Sequence, residues 1–113
     1  MISRVWHGWT TPGNADAYER LLRREIFPGI AAKQVPGYRE IQLLRRTRPS
    51  GEIEFVTIMW FDSWDAVKRF AGGDHERAVV PAKARTILTR FDARSQHYEV
   101  KEQLSYHAKQ AAS

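Results

Sequence analysis

The stretch at residues 53–64, I-E-F-V-T-I-M-W-F-D-S-W, is the most apolar run of the chain and constrains its fold most. It is rich in β-branched and aromatic residues, a composition typical of a central strand covered on both faces. Asp62 and Ser63 lie near its end, where a side-chain oxygen can cap a helix. The run predicts a buried strand, a tight turn and a helix that opens at Trp64. Trp60 and Trp64 flank the turn, so we expect the wall of any pocket here.

Length and composition favour a single globular domain. The chain has 113 residues, enough for one core. No apolar run approaches the roughly 20 residues of a membrane-spanning helix, and the first residues do not resemble a secretory signal. The sequence has no cysteine, which removes disulfides, thiol catalysis and cysteine-type zinc sites. We therefore expect a cytoplasmic protein that does not associate with membranes.

The net charge of +5 arises from 18 Lys and Arg against 13 Asp and Glu. Such a balance is compatible with nucleic acid, an anionic surface or a small anionic substrate as partner. The arginines are scattered along the chain, and RNA-binding signatures rich in glycine or aromatic residues are missing. We predict no nucleic-acid partner.

The first third of the chain predicts a strand followed by a helix. Alternating residues favour a strand over residues 2–10, and a Thr-Pro-Gly turn follows it. Asn14 stands where a helix N-cap belongs. Pro28 removes a backbone donor, so we expect a kink or break near Phe27 and a short continuation to Gln34.

The middle of the chain predicts a hairpin. Residues 38–47 read as the second strand, with Tyr38 expected on the face opposite Ile41. An Arg-Pro-Ser-Gly turn at 48–51 leads antiparallel into the central strand.

The last third predicts short helices and one strand. The helix from Trp64 should end at a Gly-Gly pair, and Asp74 should cap another short helix that runs to Val80. Apolar residues between Ala84 and Phe91 have helical spacing, and residues 96–101 read as the last strand. The tail, residues 102–113, lacks a strong apolar stripe, and we expect it to be helical if it folds.

The predicted order of strand, helix, strand, strand, helix, strand is the ferredoxin-like βαββαβ arrangement, an α+β fold. It has a four-stranded antiparallel sheet with helices on one face. The other face would expose Val5, Phe55 or Met59 unless something covers it. A second copy is the simplest cover, so we predict a homodimer packed through the open sheet face.

Several motifs together resemble a known family. They are W-H-G-x-T near the start, L-R-R after V-P-G-Y, M-W-x-D-S-W in the middle, F-A-G-x-D-x-E-R-A, and Q-H-Y-E-V near the end. This pattern is similar to that of a group within the antibiotic biosynthesis monooxygenase superfamily. The resemblance spans residues 1–101 and implies a dimeric α+β barrel domain there.

The resemblance also implies an activity. Characterised relatives oxidise polycyclic phenols to quinones with dioxygen and no cofactor, so we expect a small aromatic partner and no bound cofactor. Other relatives degrade haem with an asparagine, a tryptophan and a histidine that, by motif order, correspond to positions near His7, Phe70 and Val80. None of the three matches, and Val80 cannot bind iron, although His75 lies close in sequence.

Three histidines are the candidate catalytic or binding groups. His7 stands on the first strand with Trp9, and a histidine can take a proton from an acidic phenol near neutral pH. The alternative is a half-buried imidazole bonded to a backbone carbonyl. His75 follows the Gly-Gly pair and either faces solvent or acts on a pocket lid. His97 either packs at the dimer face or helps Tyr98 to orient a substrate.

Metal and nucleophile motifs are missing from the sequence. The histidines lie on separate elements, with no H-x-H or H-E-x-x-H, so we predict no metal. The nucleophile motif G-x-S-x-G is absent as well, which argues against a hydrolase.

Aromatic side chains are numerous enough to form the walls of a site. Four tryptophans in so short a chain can all be core, but flat walls also suit a planar ring system. The residues we expect to bind substrate are Trp9, Trp60, Trp64, Phe70, His97 and Tyr98. Arg4, Arg39 and Arg45 either pair with Glu40, Glu52 or Glu54 across strands, or one of them binds a phenolate or carboxylate.

Two hypotheses of function follow. In the first, the chain is a cofactor-independent monooxygenase, with His7 or His75 as base and dioxygen as oxidant. In the second, it is a non-catalytic dimer that binds a small aromatic ligand or is purely structural. A sealed pocket favours the second, and an open cavity with a histidine and a polar partner favours the first.

Overall fold

A computed structural model describes residues 1–107 of the chain. The described part contains one antiparallel sheet with helices packed on one of its faces. The elements in chain order are β1 (Ile2–Thr10), α1 (Pro12–Leu21), a π-helical turn (Leu22–Ile26), α2 (Phe27–Ala32), β2 (Tyr38–Thr47), β3 (Ile53–Phe61), α3 (Trp64–Ala71), α4 (Ala82–Ile87), β4 (Arg90–Phe91) and β5 (Gln96–Glu99).

The sheet has the predicted ferredoxin-like topology. β3 lies between β2 and β1 and is paired with both along its whole length. The short strands β4 and β5 pair with successive parts of the other edge of β1, β5 at Ile2 to Val5 and β4 at Gly8 and Trp9. The α+β fold class is therefore confirmed, with five strands instead of four because the last edge is divided into two.

The helices cover the face of the sheet that carries Phe55, Met59 and Phe61, all of which are buried. Near one end, Phe55 packs with Tyr18 and Leu22, and near the other, Phe61 packs with Ala66 and Val67. Phe55 and Met59 therefore need no partner chain to cover them, contrary to our expectation. Side chains alternate along a strand, so the open face carries Val5 of β1 and the even-numbered residues of β3, Glu54, Val56, Ile58 and Trp60.

The first helix begins and continues differently from the prediction. Thr11, not Asn14, is the N-cap, and its hydroxyl accepts from the backbone N–H of Asn14 at 3.3 Å. Pro28 does not break the helix, because a π-helical turn precedes it and shifts the hydrogen-bond register, with the N–H of Phe27 donating to the carbonyl of Leu22. The helical segment ends at Ala32.

β2 starts with a bulge that changes the orientation of Tyr38. The register shifts between Tyr38 and Glu40, so Tyr38 packs in the core beside Ile41 and Phe61. Strict alternation wrongly placed Tyr38 on the opposite face. The hairpin at 48–51 is as predicted, with the N–H of Arg48 donating to the carbonyl of Glu52.

The segment 72–81 is not the helix predicted after Asp74. Ser63 caps α3 as expected, and Gly72 ends it with φ +87°. Beyond it the backbone turns and forms an isolated bridge between Arg77 and Arg94. The N–H groups of Ala78 and Ser95 bond to carbonyls across this bridge, so tertiary contacts replace the helical hydrogen bonds.

The end of the chain also differs from the prediction. Phe91 lies in β4, not in a helix, and β5 ends at Glu99, two residues early. Residues 101–107 belong to neither a helix nor a strand, and residues 108–113, where we also expected a helix, lie outside the described residues. No helix within residues 1–107 is long and apolar enough to cross a membrane.

Candidate functional site

A cavity of about 70 Å³ lies between the helices and the sheet, and has room for on the order of five water molecules. β1, β2 and β3 form one wall, and α1, the π-helical turn, α2, α3, the segment 79–81 and α4 form the other. Most of its lining is aliphatic or aromatic. The apolar lining side chains are Trp6, Leu22, Ile26, Phe27, Ile30, Ile41, Met59, Phe70, Val79, Val80, Pro81 and Ala84.

A groove of about 230 Å³ continues the cavity toward the surface. The two share Ile26, Ile30, Phe70, Val79 and Pro81 and are therefore adjacent. Glu25 and Lys33 stand at the polar rim of the groove, and the ammonium of Lys33 lies 5.8 Å from the ring centroid of Phe70.

The polar groups of the cavity wall are few. Three hydroxyl-bearing residues line it, namely Tyr18, Thr57 and Ser95. Burial raises the pKa of Tyr18, so its phenol stays protonated at neutral pH. Arg4 is the charged lining residue, although only 3% of its surface is exposed.

Arg4 holds the segment 72–81 against the sheet. Its guanidinium donates to the backbone carbonyl of His75 and, at 3.1 Å, to that of Arg77. The guanidinium carbon also lies 5.5 Å from the ring centroid of Phe70, in range of a cation–π contact. Burial lowers the pKa of Arg4 to about 10, and the side chain is therefore charged at neutral pH.

His97 is the third partner of Arg4. Its Nε2 lies 3.0 Å from Nη1 of Arg4, and its Nδ1 is buried without a partner among the described residues. Burial, and then the charges of Arg4 and His75, lower the pKa of His97 to about 4. His97 is thus a neutral acceptor at pH 7 that fixes the position of the guanidinium.

Trp64 and His75 complete an aromatic cluster beside Arg4. The ring centroid of His97 lies 5.4 Å from that of His75 and 5.6 Å from that of Trp64. Of the predicted site residues, the structure thus brings together Trp64, His75 and His97, and Phe70 also contacts Arg4. Only Phe70 of these four lines the cavity. The other three contact Arg4 or one another outside the cavity wall.

His7 lies on the other face of the sheet. Arg4 and Trp6 of β1 point into the cavity, so His7 between them in the pleat points away from it. Its Nδ1 lies 2.9 Å from the carboxylate of Asp92, and its ring stacks on Trp9 with 5.9 Å between centroids. The structure therefore does not place His7 at the cavity, because the alternation of side chains separates the two.

Trp9, Trp60 and Tyr98 share the open face with His7. Trp9 lies under the guanidinium of Arg90, 3.8 Å from the ring centroid. Trp60 donates to the side-chain oxygen of Gln42 at 3.1 Å, and Tyr98 pairs with Ser3 and is 57% exposed. None of these three lines the cavity, so the predicted substrate-binding residues divide between the two faces.

The arginines considered in the sequence find different partners from those predicted. Arg39 pairs with Asp62 at 2.5 Å, and Arg45 pairs with Asp16 at 2.8 Å and Glu19 at 3.1 Å. These carboxylates lie on a turn and a helix, not on a neighbouring strand. Of the three arginines, only Arg4 has no carboxylate partner within the described chain.

Tyr18, Ser95 and Trp6 were missed as lining residues by the sequence reasoning. The helical or strand periodicity of Tyr18 and Trp6 predicts burial but does not distinguish a core position from a cavity wall, and Ser95 lies in neither a helix nor a strand. Trp6 donates its indole N–H to the backbone carbonyl of Asp92 at 2.7 Å, which fixes its ring at the cavity.

The described residues do not suit a metal or haem. Within residues 1–107, histidine and carboxylate side chains nowhere form a group of three that could bind a metal ion. None of the described histidines lines the cavity, and Val80 presents an alkyl side chain there. The residues present therefore do not fit a haem with a protein axial ligand.

Comparison with solved structures supports the fold assignment. A Bacillus cereus protein described as a candidate antibiotic biosynthesis monooxygenase superposes with a TM-score of 0.63 at 15% identity, covering 93% of this chain and 97% of that chain. A MhuD variant with two manganese protoporphyrin IX molecules bound per active site gives 0.65 at 17%, covering 94% and 100%. SnoaB, a cofactor-independent oxygenase from Streptomyces nogalater, gives 0.52 at 17%, covering 93% and 98%.

No protein-family model and no curated protein sequence matches the chain. The relationship is therefore visible in the backbone and not in overall sequence similarity. At identities this low, structural similarity establishes the arrangement of strands and helices and leaves the reaction open. The chain has the ferredoxin-like α+β fold of the antibiotic biosynthesis monooxygenase-like proteins.

Proposed function

We propose that this protein is a cofactor-independent monooxygenase that oxidises a planar phenolic or polycyclic aromatic molecule with dioxygen. The observation that carries the proposal is the apolar cavity between sheet and helices, which is lined by aliphatic side chains and four aromatic rings and is continued by a groove to the surface. Flat apolar walls with few polar groups suit a planar ring system. The similarity to SnoaB, itself a cofactor-independent oxygenase, supports the same reaction class.

The chemistry needs only the substrate and dioxygen. Loss of a proton gives a substrate anion, which transfers an electron to dioxygen, and the resulting radical pair forms a C–O bond. The hydroperoxide O–O bond then breaks, so that the ring carbon exchanges two C–H bonds for a carbonyl and the second oxygen leaves as water. The protein contributes desolvation, orientation and stabilisation of the developing negative charge.

His75 is the proposed proton acceptor. Of the two histidines beside Arg4, His97 is a weak base, because Arg4 occupies its Nε2 and its pKa is about 4. The ring of His75 lies in the same cluster, 5.6 Å from Trp64. The proton would pass from the cavity to His75 past Arg4, or through water.

Dioxygen uptake with a panel of anthrones and hydroquinones tests the proposal. We expect uptake by the native protein and a large loss in Phe70→Ala, which opens the cavity wall, and in His75→Ala. Tyr106→Ala is the matched control, since Tyr106 is 85% exposed. If a folded His7→Ala variant lost dioxygen uptake while Phe70→Ala kept it, the reaction would take place at the open sheet face and not in the cavity. That result would overturn the proposal.

A second candidate function is the binding of an aromatic ligand without turnover. The observation that favours it is that the described cavity lining contains no histidine and no carboxylate, so a base is not in direct reach. Ligand-dependent protection against thermal unfolding without dioxygen uptake would support this function in place of the oxygenase.

We also propose a homodimer through the open sheet face and a cytoplasmic location. Leu44 on this face is 47% exposed, beside the half-buried Ile58 and Trp60. A second copy would remove this apolar surface from water. Cell fractionation tests the location, and sedimentation tests the dimer.

A further inference from the structure

We infer that Arg4 is the recognition group for a negatively charged oxygen on the ligand, so that the cavity selects planar aromatic anions over their neutral counterparts. The inference rests on the proposed function for the position of the ligand. It adds the chemical class of the substrate, an aromatic carboxylate or an ionised phenol, and it names Arg4 as the residue that binds the negatively charged oxygen.

The guanidinium of Arg4 has N–H donors without a partner in the described chain. An arginine side chain carries five N–H donors in a planar fork. Arg4 directs one to the carbonyl of His75, one to that of Arg77 and one to Nε2 of His97. Two N–H donors, one on Nε and one on Nη2, therefore have no partner within the described chain and are available to a carboxylate or phenolate oxygen.

The charge of Arg4 also has no counter-ion within residues 1–107. All three of its partners are neutral, since two are carbonyls and His97 has a pKa of about 4. Arg39 and Arg45, which are far more exposed, both pair with carboxylates. A buried charge without a partner is costly, and an anion in the cavity would supply the missing counter-charge.

Geometry places this charge where a planar ligand would lie. Arg4 lines the cavity, and Phe70 under its guanidinium lines both the cavity and the groove. The rest of the wall is mostly apolar, so water screens an ion pair formed there less than one at the surface. Aromatic rings would contact Phe70 and Met59 while the oxygen faces Arg4.

Matched ligand pairs test the inference by binding alone. 2-Naphthoate and 2-naphthamide have nearly the same shape and differ in charge. By calorimetry at pH 7.5 we expect the native protein to bind the naphthoate at least about tenfold more tightly. 4-Nitrophenol, titrated from pH 6 to pH 8.5, where it ionises while Arg4 keeps its charge, forms the second arm. A gain in affinity as it ionises identifies a phenolate site, and a constant weak affinity identifies a carboxylate site.

Substitutions of Arg4 test whether this residue causes the preference for anionic ligands. Arg4→Gln should abolish the anion preference, and Arg4→Lys should keep part of it. Arg45→Gln is the control with the same loss of charge, because Arg45 lies outside the cavity and is already paired with Asp16 and Glu19. If Arg4→Gln does not fold, two results still test the inference. They are the affinity ratio of naphthoate to naphthamide in the native protein and the change of that ratio in Arg4→Lys.

Equal affinity of the native protein for naphthoate and naphthamide would overturn the inference. So would an anion preference that is unchanged in Arg4→Gln. Dioxygen uptake on neutral and anionic substrates is measured separately. Uptake without an anion preference would contradict only the inference, and an anion preference without uptake on any substrate would contradict only the oxygenase.

Discussion

Nη1 of Arg4 lies 3.0 Å from Nε2 of His97 and fixes the tautomer of that histidine. The guanidinium can only donate, so Nε2 must be the unprotonated acceptor and the ring proton sits on Nδ1. Protonation of His97 would remove this acceptor and place two positive charges side by side. The neutral form of His97 is therefore part of the folded arrangement around Arg4.

The first prediction concerns stability against acid. The folded pKa of His97 is about 4, below its ordinary value of 6.5, so between these values the unfolded chain binds more protons. The free energy of unfolding should therefore fall as the pH drops through this window. Because solvent screens the half-buried ring, we expect a loss on the order of 1 kcal/mol between pH 7.5 and 5.0. Urea denaturation at the two pH values measures it.

His97→Gln is the control for this prediction. The amide oxygen of glutamine can still accept from Arg4 but does not titrate. The difference in unfolding free energy between pH 7.5 and 5.0 should be smaller in this variant. An equal difference in both proteins would assign the acid sensitivity to groups other than His97.

The second prediction concerns the turn before β2. Gly37 has φ +88°, and a Cβ built there would lie 2.6 Å from the Cβ of Ala66. Gly51 has φ +92° but no atom within 4 Å of its added Cβ. Gly51→Ala should lose about 1 to 2 kcal/mol from backbone strain alone, and Gly37→Ala at least about 2 kcal/mol more from the clash. Equal urea midpoints would show that α3 can shift away.

The third prediction concerns the core beneath the helices. Phe55 is fully buried and meets Tyr18 edge to face, with 4.8 Å between the ring centroids. Phe55→Ala should cost about 3 to 5 kcal/mol of unfolding free energy, from lost burial and the remaining void. Tyr106→Ala, at a side chain 85% exposed, should change it by less than about 0.5 kcal/mol. A loss below about 1 kcal/mol in Phe55→Ala would mean that the core collapses into the space.

The fourth prediction concerns the open sheet face. If two copies pack through it, Ile58→Lys should place charges in the interface and give a monomer in sedimentation equilibrium. Ala31→Lys adds the same charge at an exposed position of α2 on the helical side and should leave the dimer intact. A native protein that sediments as a monomer at high micromolar concentration would contradict the proposed dimer.

Local signals were enough to predict much of the fold. The strands at 2–10, 38–47 and 53–61 and the Ser63 cap follow from residues next to one another in the chain. Predictions failed where a distant residue decides the local structure. The helix expected after Asp74 competes with contacts from Arg4 and Arg94, which the local sequence does not contain.

The site was harder to predict than the fold for a related reason. The alternation of side chains along a strand defines two faces of the sheet but does not say which face the helices cover. A single bulge, such as the one at Tyr38, also moves a side chain to the face opposite the one that alternation predicts. His7 was therefore assigned to a pocket that lies on the other side of the sheet. The sequence did indicate that one of Arg4, Arg39 and Arg45 could bind an anion, but selecting Arg4 required knowing which carboxylates the fold brings near.

The partners of Arg4 lie 71, 73 and 93 positions further along the chain. During synthesis, β1 emerges first, yet one of its edges has no partner until β4 and β5 have left the ribosome. Until then β1 offers an unpaired edge to any other strand, and its arginine lacks all three acceptors. The cavity is therefore completed last, and the nascent chain depends on β4 and β5 to cover this edge of β1.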